Sequence, residues 1–486
     1  MKRSGLLWVL AGGVFCFQCS PAAPPSEVET VVATPTPNDA CAASGEWVTN
    51  PSLPDFDTAP GDHCGFFQQA WQAFLYLASP SGAPGGALVF ETYPATESVF
   101  SGGTVATGTQ LFQHEDARTN RMRFFRPRVS KQPPRASDTG QLEFDPHQAG
   151  SNGILVDQTG NITYYEQFLD PGVMVPFIDA CTLTLKTCQT QPGAQTLQIP
   201  AGSLELKVAW RPLWKTSAGV ASFYTIPGFA VKNAAGDTVT PDFFGLVGFH
   251  LVYSLAGHPE LIWGTFEHLA NAPTGACAEG QTTCDALPAG ASGWSYNDCN
   301  STSCADINAW PSPTPTPPLP AAQAFLEYSE GTMASLTDAA GVAGQDNINI
   351  IQNLNQSVLG VLPPDSVWRN YALAGSLWTL NGALPALAPF QTTGEPNPGF
   401  NQVGSTFLAN VTMETFTQFP NPVPSPYVNS VENCFTCHNT ASSYATAPPA
   451  TQKPPFTVSH AFSFAQSTTT CAWTTAVPEA CEATQP

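Results

Sequence analysis

Between Cys64 and Ala78 the apolar residues Phe67, Trp71, Phe74, Leu75 and Ala78 recur at three- and four-residue intervals. That is the spacing of a helix with one buried face. Farther on the period changes to two, with Leu204, Leu206 and Val208 alternating with Glu205 and Lys207. Residues 153–157 and 161–167 flank a Gln-Thr-Gly turn. Residues 245–254 and 261–268 flank Ala256-Gly257-His258-Pro259, the pattern of a second hairpin. From about 85 to 270 the pattern predicts mostly antiparallel strands. Helical spacing returns over 322–336, in Ile348, Ile351, Leu354 and Val358, and in Phe407, Leu408, Val411 and Phe416.

The fold class these elements predict is α+β. A large antiparallel β-rich body would occupy 41–310, and a helical, loop-rich carboxyl-terminal third would occupy 321–486, packed with the body as one unit. With 486 residues, burial of a sizeable core is not limiting.

The amino terminus reads differently. Lys2-Arg3, the apolar run from Leu6 to Phe17 and the polar residues after it form the pattern of a secretory signal over 1–19. A Pro-, Ser- and Thr-rich tether over 20–40 follows. Cys19-Ser20 before that tether resembles a bacterial lipoprotein attachment site, although Phe17-Gln18 replaces the usual small residues. Lipidation at Cys19 and simple cleavage, with Cys16 and Cys19 leaving together, both stay open. No later run reaches the about 18 apolar residues that a spanning helix needs. The expected location is therefore exported, in the periplasm or as a lipoprotein of the outer membrane or cell surface of a Gram-negative bacterium. Any membrane contact would be through the amino-terminal lipid alone.

Charge narrows the partners. Sixteen Lys and Arg against 37 Asp and Glu make a formal net charge of −21, which argues against nucleic acid and favours a basic protein partner. Only 11% of residues are charged and 47 are proline, as in loop-rich exported proteins.

Fourteen cysteines are present. Setting aside Cys16, Cys19, Cys434 and Cys437, neighbours pair as Cys41 with Cys64, Cys181 with Cys188, Cys277 with Cys284, Cys299 with Cys304, and Cys471 with Cys481. Each disulfide would contribute about 2–4 kcal/mol. Other connectivities remain open.

The remaining pair carries the chemistry. Cys434-Phe435-Thr436-Cys437-His438 sets two thiols one helical turn apart, as thioether bonds to both vinyl groups of one porphyrin require, with an imidazole next to them for the iron. Chance at this Cys and His content would produce under about 0.01 such pentapeptides. The motif occurs once, so one covalent haem c is expected, held by Cys434 and Cys437 with His438 as proximal ligand. A CxxC disulfide, a redox-active pair or zinc are the competing readings. The chain lacks a thioredoxin-like βαβ pattern, and nothing completes a four-ligand zinc set.

For the sixth iron position the candidates are His460, beside Phe462-Ser463-Phe464, and Met413, on a predicted helix just before the motif. An open or water-bound iron is the third option. His250 and His268 fall on the two strands of the second hairpin, and an even register would aim both from one face. With Glu267 they would then form a metal site or face the haem, or else be bonded core residues. His258, in the turn, is expected to face solvent. Lys207, Arg211 and Arg369 are candidates for haem propionates or for structural ion pairs.

Several stretches resemble a group of exported bacterial cytochrome c family proteins. They are CGFFQQAWQAFLYL (64–77), LELKVAWRPL (204–213), GLVGFHLVYSLAGHPELIWGTFEHLANAP (245–273), LPPDSVWRNYALAG (362–375), and FLANVTMETFTQF leading to NCFTCH (407–438). The resemblance implies haem attachment at Cys434 and Cys437 and ligation by His438, and it draws attention to His250 and His268. It implies no substrate. The tail AFSFAQS (461–467) departs from the more aliphatic ending of that group.

Three functions are compatible with this reading. The first is single-electron transfer by a monohaem c-type protein. The second is a haem peroxidase or oxygenase with an open iron, which the size favours and the single motif disfavours. The third is a haem-based sensor or ligand-binding module.

Overall fold

The helix read first in the sequence, α2 (His63–Leu77, after the short α1, Glu46–Thr49), begins where Asp62 accepts the Gly65 N–H at 2.8 Å. That bond satisfies one of the amide groups a helix leaves open at its start. The buried face of α2 carries Phe67, Ala70, Trp71 and Phe74, and just ahead of it Cys64 is joined to Cys41 by a disulfide with a Cα separation of 5.6 Å. This is the first of the expected pairs. The computed structural model describes residues 41–83, 86–96, 99, 153–181, 198–273, 293–298, 308, 317–326, 337–385, 401–406, 408–417, 433–438 and 458–459. At Ala180, Cys181, Thr436 and Cys437 only the backbone is described. The other expected cysteine pairs, the leader and the tether lie outside the described side chains.

The described strands are β1 (Tyr164–Leu169), β2 (Leu204–Leu213), β3 (Thr225–Pro227), β4 (Val231–Lys232), β5 (Thr238–Val239), β6 (Phe243–Leu255), β7 (His258–His268), β8 (Tyr371–Thr379) and β9 (Gln402–Gly404). One antiparallel sheet runs β1-β2-β6-β7-β8-β9, with β3 also on β6, and β4-β5 form a separate pair. The β-rich antiparallel body is thus as expected. Two of its strands, β8 and β9, come from the stretch expected to be helical.

In that stretch the described residues hold one long helix, α4 (Gly344–Val361), and an earlier short helix, α3 (Met174–Cys181), lies outside it. The expected helix over 322–336 is not seen at 322–326. There the backbone is extended, because Ala322 and Ala324 donate to the carbonyls of Val156 and Tyr296. The segment around Met413 is a turn, with its N–H bonded to Asn410 O at 3.1 Å, and only Thr415–Thr417 coil as a 3-10 turn.

Both broad faces of the sheet are covered. Val208, Phe249, Phe266 and Leu373 face α2 and α4, and Phe74 stacks on Phe266 at 4.2 Å while meeting Phe249 edge-on. Asn355 of α4 ties this layer together by accepting the Trp71 indole N–H at 2.8 Å and bonding the Leu373 backbone of β8. Ala70 packs against Gly264, where an added Cβ would sit 3.3 Å from the alanine methyl. Arg369 donates to the carbonyls of Leu359 and Leu362 at the end of α4, so it supports a helix terminus.

Candidate functional site

The opposite face is ordered by register into rows. One row runs Leu169, Glu205, Val252, Trp263, Leu377; the next runs Gln167, Lys207, His250, Thr265, Gly375. Side chains paired across antiparallel strands share a face, and rows two residues apart lie roughly 7 Å apart along the strand. The first row is largely apolar with one carboxylate, and the second is polar. The CxxCH turn sits on the first.

Asn433 accepts the Phe435 N–H at 2.9 Å, and its amide donates to Gln402 Oε1 and the Thr406 carbonyl. It therefore caps the turn and fastens it to β9. The His438 N–H bonds to Cys434 O at 2.8 Å, closing a helical turn that places positions 434 and 437 side by side along the chain. Phe435 is fully buried with Val252, Trp263 and Leu377, and Cys434 is half-buried against the same cluster.

His438 is held from two sides. Its Nδ1 lies 2.8 Å from the Val458 carbonyl, which can only accept, so Nδ1 carries a proton, and in the neutral ring the lone pair is then on Nε2. Its ring lies 4.1 Å from the Trp263 ring, tilted by 44°. Trp263 is itself fixed by its Nε1–H bond to Glu260 O at 3.1 Å. Leu261, between them, adopts a left-handed backbone with φ 67°, a strain of about 1–2 kcal/mol. This kink accompanies the register shift at the start of β7.

Ser459, next after Val458, donates its hydroxyl to Glu205 Oε2 at 2.5 Å. Burial pushes the Glu205 carboxyl up to about 7, against the opposing pull of the Ser459 hydroxyl and the Lys207 charge. A residue of β2 thus meets the stretch that returns to His438, across 254 positions of sequence.

In the polar row, His250 Nε2 lies 3.0 and 3.1 Å from the two Glu414 oxygens. Burial opposes the charge of Glu414, but His250, Lys207 and the Asn410 N–H outweigh it and hold the carboxyl below its ordinary value. Glu267 accepts the Val411 N–H at 2.7 Å, and burial raises its carboxyl to about 8. Glycine permits this close layer. A Cβ on Gly248 would lie 2.2 Å from Thr412 Oγ1, and one on Gly375 would lie 2.3 Å from Ser405 Oγ.

Two expectations about histidine are corrected here. His250 pairs with Thr265, three positions from His268, so the two histidines point to opposite faces. His268 stacks on Phe223 at 3.8 Å, its Nδ1 accepts the Ala270 N–H, and its Nε2–H donates to Ser222 O. Burial lowers its titration to about 4, so it is a neutral core residue. His258 is buried rather than exposed: its Nδ1 bonds Glu260 at 2.8 Å and its ring meets Phe66 edge-on. Among the described residues no three His, Cys, Asp or Glu side chains converge on a metal position, which leaves the grouping of His250, His268 and Glu267 without support.

Arg211 bonds Asp157 at 2.7 Å and Ser295 at 2.8 Å, and Lys207 lies over the Tyr165 ring. Met413 is buried with Val247, Val411 and Phe416, in a different apolar cluster from Phe435 and Trp263. His460 lies outside the described residues, one position after Ser459. Trp263, Glu205, Glu414 and Val458 were not singled out by sequence. Trp263 shows only a strand's apolar period, and the others show nothing local.

Among the described residues no helix is long and apolar enough to cross a membrane. No protein-family model, no curated protein and no solved structure matches this chain.

Proposed function

We propose that the chain is an exported monohaem c-type protein that binds one haem through Cys434 and Cys437, with His438 on the iron, and transfers single electrons. The observation that carries this reading is the His438 hydrogen bond to Val458 O. Metal-bound histidines characteristically donate their second ring N–H to a carbonyl or carboxylate, which fixes the tautomer and makes the ligating nitrogen more basic. The helical turn supports it further, because it spaces the two cysteines as double thioether attachment requires.

The haem supplies a one-electron couple when bound. The chain's own residues supply the rest. Asn433 holds the turn to β9, Phe435 and Trp263 keep water from the inner side of the motif, and Val458 keeps the proton on Nδ1. The net charge of −21 points to a basic redox partner. The leader-like amino terminus fits attachment outside the cytoplasm, where the location would be periplasmic or, with a lipid on Cys19, at the outer membrane.

The test is expression in a host able to mature c-type proteins. Expected are an intact mass heavier by one haem, colour that survives acid-acetone, and loss of both in the C434S/C437S variant. A colourless protein of unmodified mass would end the reading. EPR of the ferric protein then separates its branches: low-spin iron inert to peroxide supports electron transfer, whereas high-spin iron that reacts with peroxide or oxygen moves the assignment to a haem enzyme.

A further inference from the structure

The proximal side of the motif is built by parts of the chain with no sequence signature. Val458 and Ser459 return after 20 residues and are buried on the sheet, Val458 within the apolar cluster of Phe435 and Ser459 against Glu205. The Val458 carbonyl bonded to His438 Nδ1 therefore belongs to a peptide whose neighbour is fastened to β2. The imidazole plane has a second constraint from β7, the Trp263 ring at 4.1 Å. Trp263 and Val252 are cross-strand partners, and Val252 is in turn the partner of Glu205, so both constraints project from a single row of the sheet.

We propose that this row acts as a clamp on the iron ligand: Glu205, working through Ser459 and Val458, fixes the hydrogen bond at His438 Nδ1, and Trp263 fixes the plane of its imidazole. Glu205, Ser459 and Trp263 are positioning residues, and the proposal rests on haem ligation by His438. A firm Nδ1–H bond gives the ring imidazolate character and strengthens its donation to the metal, which favours the ferric state. Loosening it favours the ferrous state. Rotation of the ring changes the orbital splitting of a low-spin ferric iron, which EPR reads directly.

The test uses the full-length holoprotein in four variants, S459A, S459T, W263L and W263F, each checked for covalent haem by its pyridine haemochrome. S459A is expected to lower the ferric-to-ferrous ratio at a fixed applied potential about tenfold, equivalent for one electron to about 59 mV, and to change the ferric g-values. S459T keeps a hydroxyl and should restore both. W263L should change the g-values, and W263F, which keeps an aromatic face, should change them less. Wild-type g-values in S459A and W263L would overturn the clamp. A potential shift in S459A with unchanged g-values would overturn it also, because it would report a remote charge. Wild-type protein without covalent haem would instead remove the ligation on which the clamp stands.

Discussion

The two faces of the main sheet are built on opposite principles. Toward α2 and α4 the contacts are aromatic and aliphatic, with Phe74, Phe249, Phe266 and Trp71 meeting ring to ring. Toward the CxxCH turn the same strands present Glu205, Lys207, His250, Thr265 and Glu267, covered by chain that lies flat on glycines and bonds to them. Regular helices can pack on the first face because apolar side chains interdigitate without directional demands. The second face needs irregular backbone, because buried carboxylates and imidazoles must each be met by a donor or acceptor at hydrogen-bond distance. Undirected apolar packing thus dominates one side and directional hydrogen bonding the other.

The strongest way to break that contrast is to remove a ring from the helical side. Phe74→Ala deletes a fully buried ring stacked on Phe266 and should cost about 3–5 kcal/mol in urea denaturation. A loss below about 1 kcal/mol would mean that the helical layer does not carry the core.

A smaller effect is expected on the polar side. Gly248→Ala puts a methyl where Thr412 and Asn410 lie, so the covering segment must lift. The expected cost is about 1–3 kcal/mol. The same lift should displace Glu414 from His250, seen as changed chemical shifts of the His250 ring by NMR. Unchanged shifts would show that the segment does not depend on this close approach.

The smallest effect tests how the helical side tolerates a deep carboxyl. Glu166 accepts the Trp210 indole N–H at 2.8 Å, and burial raises it to about 8. Its folded value lies above the ordinary one, so the folded state holds the proton more tightly. Its contribution is complete below the ordinary carboxylate range and is lost as pH rises through about 8. His268 works the other way, supporting the fold above its ordinary value and failing as pH falls through about 4. Denaturation at pH 7 and pH 9 avoids the histidine. Stability should fall between them in the wild type and fall less in Glu166→Gln, and equal falls would contradict a proton on Glu166.

Local periodicity made α2, α4 and the β6–β7 hairpin legible, because each buries a face whose residues repeat at the period of its own backbone. The Cys41–Cys64 link was legible from proximity in an even set. What misled was distance and register. The alternation of Glu205 and Lys207 with leucines reads as one wet face, yet Ser459 covers Glu205 from the far end of the chain. His250 and His268 would share one face only in an even register, and the pairing of His250 with Thr265 makes it odd. His258 looked like a turn residue in water until Phe66 of α2 closed over it. Residues 322–326 carry helical spacing but find their partners in Val156 and Tyr296, so tertiary hydrogen bonds override propensity.

The chain's own order of residues determined the elements with strong period, the even cysteine set and the pentapeptide Cys434–His438, since each depends on neighbours within a turn or two. Only tertiary structure decided which carbonyl meets His438, which ring lies against it and which carboxyl anchors the returning strand of chain. Those choices depend on strand pairing and on contacts that span 20 positions for Val458 and His438, 175 for Trp263 and His438 and 254 for Glu205 and Ser459, and no local rule of spacing encodes a contact at such range.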